Sequence, residues 1–268
     1  MDNSIKTVKA FYDQASEEEW GRMDRNFFEF EVTKAYLRKY IKPGDRVLDV
    51  GGGPGRYSFW LMEQGAKSTL VDLSDGNIAL ARKIAAERGV DLETIQGDAR
   101  FVDRYTEGLY DHVLLMGPLY HLLKEEDRIQ AVNACLKRLK PGGMLYCAFI
   151  SNYANLVWLL SKAPDLINDE REAAWLAGLK KGVDYAGPAF TEAFFIQPAG
   201  IDPFMAQFPL TKKHLFSCEG IAAAFQSTLG EMPEKGRESW LTLCLALCER
   251  EEIFSWAEHL MYVGEKQG

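Results

Sequence analysis

Three aspartates, Asp49, Asp72 and Asp98, stand at comparable intervals along the first hundred residues, each at or near the end of a short apolar run. The first lies in "VLDVGGGPGRYS" (47–58), where Gly51, Gly52 and Gly53 follow it almost at once. Glycines let a ligand approach the main chain closely, and a sharp turn there aims helix N-terminal amides at the same ligand. Asp72 comes 21 residues after Gly51, a spacing that suits a carboxylate accepting from two ribose hydroxyls. Asp98, in "QGDAR", can accept from an amino group on a base or merely cap a turn. Arg56 occupies the place of the third glycine in a dinucleotide fingerprint, which disfavours a nicotinamide oxidoreductase.

A second group could act on whatever that ligand delivers. "MGPLYHLL" (116–123) carries Tyr120 and His121, able to orient or deprotonate an acceptor. The competing expectation is architectural: His121 caps a helix and Tyr120 walls a pocket. "FYDQASEEEWGRMDR" (11–25) carries Tyr12, Trp20 and Arg22, which either fold over the crevice as a lid or pack the prefix onto the core. Glu17–Glu19 reads as a solvated helix face, and His112, His214 and His259 as structural. The five cysteines form no CxxC pair, so reduced buried thiols are expected, with neither a disulfide framework nor a metal site.

The elements that must position these groups alternate. Short apolar runs at 46–50, 68–73, 92–96, 111–116 and 144–150 read as strands, separated by helical patterns such as "RIQAVNACLKRL" (128–139). Ser74 suits the N-cap of the helix that Gly89 stops. Runs near 212–218 and 259–265 complete seven strands. The pattern predicts an α/β fold, a doubly wound and mostly parallel sheet covered on both faces. Residues 1–42 form a helical prefix or lid, 43–150 the binding core, 151–205 an inserted helical cap and 206–268 the completion of the sheet. Trp158, Trp175, Tyr153, Tyr185, Phe190, Phe194 and Phe195 make the cap aromatic, either as an apolar acceptor pocket or as the cap's own core. "SWLTLCLALCE" (239–249), apolar on most faces, is expected to be buried.

Taken together, "VLDVGGGPGRYS", "LVDLS", "QGDAR", "YDHVLLMGPLYHL" and "LKPGGMLY" resemble, in order, the class I S-adenosylmethionine (SAM) dependent methyltransferase family, and "EHLMYVGEK" resembles its last strand. The resemblance implies a Rossmann-like methyltransferase fold with SAM as cofactor. It implies that Asp49 and the Gly51–Gly53 backbone hold the methionine moiety and that Asp72, with Leu73 beside it, holds the ribose. Asp98 and Ala99 then meet the adenine, and Met116 and Gly117 lie beside the methyl donor.

The acceptor is expected to be a small molecule, methylated on O, N, S or C. The segment after the fourth strand lacks the NPPY-type signature and any Pro-Cys dipeptide, and the formal net charge of −8 offers no long-range attraction to a nucleic acid. An RNA (tRNA) methyltransferase and a non-catalytic SAM-binding regulator remain the alternatives. Neither the start of the chain nor its longest apolar run suits a signal peptide or a membrane span, so a cytoplasmic protein without a membrane partner is expected.

Overall fold

The computed structural model describes residues 3–268. Three helices come first: α1 (Asn3–Gln14), α2 (Ser16–Arg25) and α3 (Phe27–Tyr40). Strands and helices then alternate through β1 (Arg46–Val50), α4 (Arg56–Glu63), β2 (Lys67–Asp72), α5 (Asp75–Arg88), β3 (Glu93–Gln96), β4 (Tyr110–Leu115), α6 (Glu125–Arg138) and β5 (Leu139–Ser151). The inserted segment holds α7 (Ala154–Lys162), α8 (Ala173–Lys181), β6 (Tyr185–Pro188), β7 (Glu192–Ile196) and α9 (Ile201–Met205). The chain closes with β8 (Leu210–Ser217), α10 (Gln226–Gly230), α11 (Glu234–Leu247), α12 (Glu251–Phe254) and β9 (His259–Lys266).

The central order is β3-β2-β1-β4-β5, all parallel; β9 pairs antiparallel with β5, and β8 with β9. The chain runs outward from β1 to β3, then restarts at β4 on the other side of β1. Strand order therefore reverses between β1 and β4, and their carboxyl ends leave a crevice. Val47, Leu48, Val50, Val113, Leu114 and Leu115 are fully buried in these two strands, which is why they read as unbroken apolar runs. Ser74 accepts from the Asn77 amide and Gly89 ends α5 in the left-handed region, as the sequence predicts.

Two expectations need correcting. The described residues form nine strands, not seven, because part of the segment expected to be a helical cap is a hairpin. Its run "EAFFI" is apolar enough to join the sheet: β7 runs parallel to the end of β5, pairing Ile150 with Phe195 and Ser151 with Ile196. Ile150 already faces His259 on its other side, so β7 takes the edge of β5 beyond the end of β4. That brings the hairpin over the loop carrying Tyr120 and His121. Helix α11 is not interior either: Cys244 is its one buried residue, while Trp240 and Leu243 face outward. All five cysteines are buried and free. No helix among the described residues is long and apolar enough to cross a membrane.

Candidate active site

The crevice between β1 and β4 is narrow because main chain meets main chain there. A Cβ on Gly51, whose φ is +71°, would lie 2.4 Å from Pro118 Cδ in the loop after β4. A Cβ on Gly52 would lie 2.5 Å from the Asp49 carboxylate beneath it. The loop can pass between these neighbours only without side chains.

Asp49 is fully buried. Its Oδ2 accepts from Ser58 Oγ at 2.7 Å, while its Oδ1 has no partner among the described residues. Burial, opposed by the Ser58 hydrogen bond, pushes its pKa up to about 7. Asp72 orders the glycine loop from the end of β2: Oδ2 accepts from the Gly53 amide at 2.8 Å, and Oδ1 from the Ser74 amide at 2.8 Å and Asn77 Nδ2 at 3.2 Å. Burial raises its pKa as well, against those hydrogen bonds. Neither carboxyl group has a cationic partner among the described residues. The basic residues that border the cavity are engaged elsewhere: Lys9 with Asp13 and Asp75, Arg56 with Asp24, and Arg22 with Glu19 and Glu29. The cavity is thus short of positive charge.

Two prefix helices form the other wall. Tyr12, on α1, donates its hydroxyl to His121 Nε2 at 2.9 Å. His121 Nδ1 lies 3.0 Å from the Glu192 carbonyl at the start of β7. A carbonyl only accepts, so Nδ1 carries the proton and Nε2 is the lone-pair nitrogen. Burial lowers the imidazole to about 4 and keeps it neutral. Tyr120 donates to the Met116 carbonyl at 3.0 Å, fixing the loop after β4. Arg22, on α2, donates through Nε to Glu19 at 2.9 Å and through Nη1 to Glu29 at 2.7 Å.

Behind Arg22 a second cluster continues. Glu29 lies 3.9 Å from His259 Nδ1, which donates to Glu219 Oε1 at 2.6 Å. Burial alone would lower the His259 imidazole, but Glu29 and Glu219 outweigh it and raise its pKa to about 9. Glu29, Glu219 and His259 are close enough to hold a metal ion. Arg22 pairs with Glu19 and Glu29, and His259 with Glu219, so the cluster is a buried ion-pair network.

Tyr12, Arg22, Asp49, Gly51, Gly52, Gly53, Asp72, Leu73, Asp98, Ala99, Met116, Gly117, Tyr120 and His121 all border this one cavity, whereas Trp20 packs edge-on against Phe59 instead. The cavity holds about 1020 Å³ of empty space when the open solvent at its mouth is counted. Asp98 caps the turn at Ala99–Arg104, and both its oxygens serve Arg100. Glu19 departs from its expected solvated face: it borders the cavity, with Cγ 3.4 Å from where a Gly53 Cβ would stand. Asn77 was not singled out, although its place three residues after the N-cap was legible. The Glu192 carbonyl is backbone and left no signal. Of the cap aromatics, Trp175, Phe194 and Phe195 are buried in the protein's interior, and Phe190 alone packs on His121.

The methyltransferase-domain family matches residues 47–143. The chain is similar to a ubiquinone biosynthesis O-methyltransferase of Cronobacter sakazakii, 30% identical over 172 residues that make up 64% of each chain. It is also similar to a glycine/sarcosine N-methyltransferase of Parasynechococcus marenigrum, 38% identical over 112 residues, 41% of this chain and 40% of the other. The chain thus spans less than two thirds of the length of these curated relatives. Among solved structures, the Burkholderia thailandensis 1,6-didemethyltoxoflavin-N1-methyltransferase, with its acceptor and S-adenosylhomocysteine bound, superposes with a TM-score of 0.61 at 14% identity, covering 98% of this chain and 88% of that one. The Synechocystis PCC 6803 magnesium protoporphyrin IX methyltransferase does so with a TM-score of 0.59 at 12% identity, covering 98% and 100%. At these identities the structures establish a shared fold.

Proposed function

We propose that this chain, which matches the methyltransferase-domain family over residues 47–143, is a class I SAM-dependent methyltransferase that transfers a methyl group to O, N, S or C of a small molecule. The observation that carries this reading is the pair of buried carboxyls, Asp49 and Asp72, which border a glycine-lined crevice and pair with no cation among the described residues. Ionising such groups in a dry site is costly unless the ligand brings positive charge. SAM brings a sulfonium and an ammonium, and when bound it supplies an electrophilic methyl group.

The chain's own residues would bind, align and exclude water. Asp49 and the amides of Gly51–Gly53 would face the methionine end. Asp72, with Leu73, would accept from the ribose, its side chain already aimed by Ser74 and Asn77. Asp98 and Ala99 would border the adenine, and Met116 and Gly117 the methyl group. Tyr12 and Arg22 would close the lid from α1 and α2. The acidic net charge and the enclosed cavity support a small acceptor over an extended polynucleotide.

Titration calorimetry with SAM and S-adenosylhomocysteine tests the reading. Both should bind, and Asp72→Ala should weaken SAM by roughly 10- to 100-fold, the worth of losing a charged hydrogen-bond acceptor, with the fold intact by circular dichroism. Unchanged SAM affinity in that variant, or no SAM binding at all, overturns it. Incubating labelled SAM with metabolite pools and with tRNA then separates the acceptors: label recovered in tRNA refutes the small-molecule acceptor.

A further inference from the structure

Glu19 borders the cavity, yet it stands outside the set of residues that would hold the cofactor. Of the three glutamates that open α2, Glu17 and Glu18 are exposed and only Glu19 turns inward, to the glycine loop. Its Cγ lies 3.4 Å from where a Gly53 Cβ would stand, while Asp49 meets the same loop at Gly52. Arg22, one turn further along α2, donates through Nε to Glu19 Oε1 at 2.9 Å and through Nη1 to Glu29 at 2.7 Å. Glu19 Oε2 and Arg22 Nη2 are left without a partner among the described residues. Both side chains border the cavity and stay within reach of a ligand, 23% and 25% exposed.

A carboxylate and a guanidinium held side by side, each with one polar atom free, are the inverse of an amino-acid head group. That group carries an ammonium and a carboxylate on one carbon. Such a ligand adds no net charge to the pair, so each ion keeps a partner of opposite sign, the condition under which charge is tolerated away from water. A second sign of a cationic group lies beside the same loop: Asp49 Oδ1 is buried and accepts from nothing among the described residues. The Glu19 charge also reaches into the cavity, since Asp72 and Tyr12, raised first by burial, are raised further by it.

Resting on the methyltransferase reading, we propose that Glu19 is a specificity-determining residue of the cofactor site, whose free oxygen takes the α-ammonium of the methionine moiety while Arg22 Nη2 donates to the α-carboxylate beside it. Hydrogen bonds between ionised partners are the strong ones, and two of them on one carbon select the head group by shape as well as by charge. The bound head group joins α2 to the glycine loop, so the ligand itself ties the prefix to the sheet. S-adenosylhomocysteine keeps the head group, so cofactor and product are held alike at this point, and the contact serves affinity rather than the rate of transfer. Adenosyl thioethers that lack the head group are the molecules it rejects.

The test is titration calorimetry on the full chain with four thioethers. They are S-adenosylhomocysteine, S-(5′-adenosyl)-3-thiopropylamine (the ammonium without the carboxylate), 5′-S-(3-carboxypropyl)-5′-thioadenosine (the carboxylate without the ammonium) and 5′-methylthioadenosine (neither). In the unmodified chain S-adenosylhomocysteine should bind roughly 10-fold or more tightly than 5′-methylthioadenosine, with each half-group between them, a contrast that needs no variant. Glu19→Gln keeps an oxygen for Arg22 but loses the charge. It should weaken S-adenosylhomocysteine and the ammonium analogue by roughly 10-fold, and should bind the carboxylate analogue and 5′-methylthioadenosine no more weakly than the unmodified chain does. Retained 5′-methylthioadenosine binding also reports that the variant is folded. Three results overturn the proposal: 5′-methylthioadenosine bound as tightly as S-adenosylhomocysteine by the unmodified chain, unchanged S-adenosylhomocysteine affinity in Glu19→Gln, or an equal loss for all four ligands, the mark of a merely structural role. If S-adenosylhomocysteine binds while these contrasts fail, only the Glu19 assignment is refuted; if none of the four binds, the methyltransferase reading fails with it.

Discussion

The crevice and the cluster behind Arg22 are built from the same residue types, carboxylates and histidines in the interior, yet they shift in opposite senses. In the crevice burial prevails: Asp49 rises to about 7 and His121 falls to about 4, both toward the neutral form. In the cluster partner charges prevail: His259 rises to about 9 and Glu29 is lowered despite its burial, both toward the charged form. Among the described residues the cluster contains its own counter-charges, and the crevice carboxyls pair with none. Buried charge that is balanced internally holds elements together; buried acid left unbalanced is matched by a ligand. The cluster joins α2 and α3 to β9 and to the loop after β8. It fixes the prefix helices α2 and α3 to the sheet, whereas the carboxyls of the crevice pair with no cation among the described residues.

The largest expected effect tests the structural side. Glu219→Gln keeps the shape but removes one of the charges that balance Arg22 and His259. It should destabilise the chain by about 3 kcal/mol or more, the range for breaking a buried ion pair, as measured by urea unfolding. A stabilised variant would show instead that the cluster is short of positive charge, like the crevice, and would break the comparison.

The next effect is a pH dependence. His259 has its pKa raised from 6.5 to about 9, so its contribution to stability is complete below about pH 6.5 and is lost as the pH rises through about 9. At ~1.4 kcal/mol for each tenfold change in proton affinity, that contribution is about 3 kcal/mol. Glu29, Glu219 and Arg22 surround the imidazole, and Glu258, raised by burial and by the Glu219 charge, shares the surroundings. Unfolding curves at pH 7 and pH 10 should differ accordingly in the native chain and much less in Glu219→Gln. An equal loss in both would assign the alkaline weakening to other groups.

The two regions also differ in how far the sequence disclosed them. Asp49, the glycines and Asp72 were legible because a turn at the end of one strand and a carboxylate at the end of the next are local patterns with a fixed spacing. The cluster assembles residues 29, 219 and 259, which only the closed sheet brings together, and from the sequence His259 read simply as structural. Glu19 was misassigned because three consecutive glutamates suggest a solvated face, whereas the helix turns the third inward beside Arg22. The β6–β7 hairpin was hidden in a segment otherwise helical in pattern, and with it the Glu192 carbonyl that sets the His121 tautomer. Helix α11 misled in the opposite direction: its apolar run lies at the surface.

The smallest effect addresses the crevice. If Asp49 is half protonated near pH 7 in the free chain, a cationic ligand that favours its ionised form must expel a proton on binding. SAM affinity should therefore rise with pH by up to ~10-fold per unit below about 7 and level off above it. Calorimetry in two buffers of different ionisation enthalpy would count the proton directly. S-adenosylhomocysteine, which keeps the ammonium but lacks the sulfonium, should show a shallower slope. Asp49→Asn supplies the decisive contrast with Glu219→Gln. It should abolish the slope and weaken SAM while leaving the free chain as stable or more so at neutral pH, because no charge is stranded when an unbalanced acid is removed. If Asp49→Asn destabilised the free chain as much as Glu219→Gln does, Asp49 would be a structural carboxylate, and the distinction between the two regions would fail at the residue on which it chiefly rests.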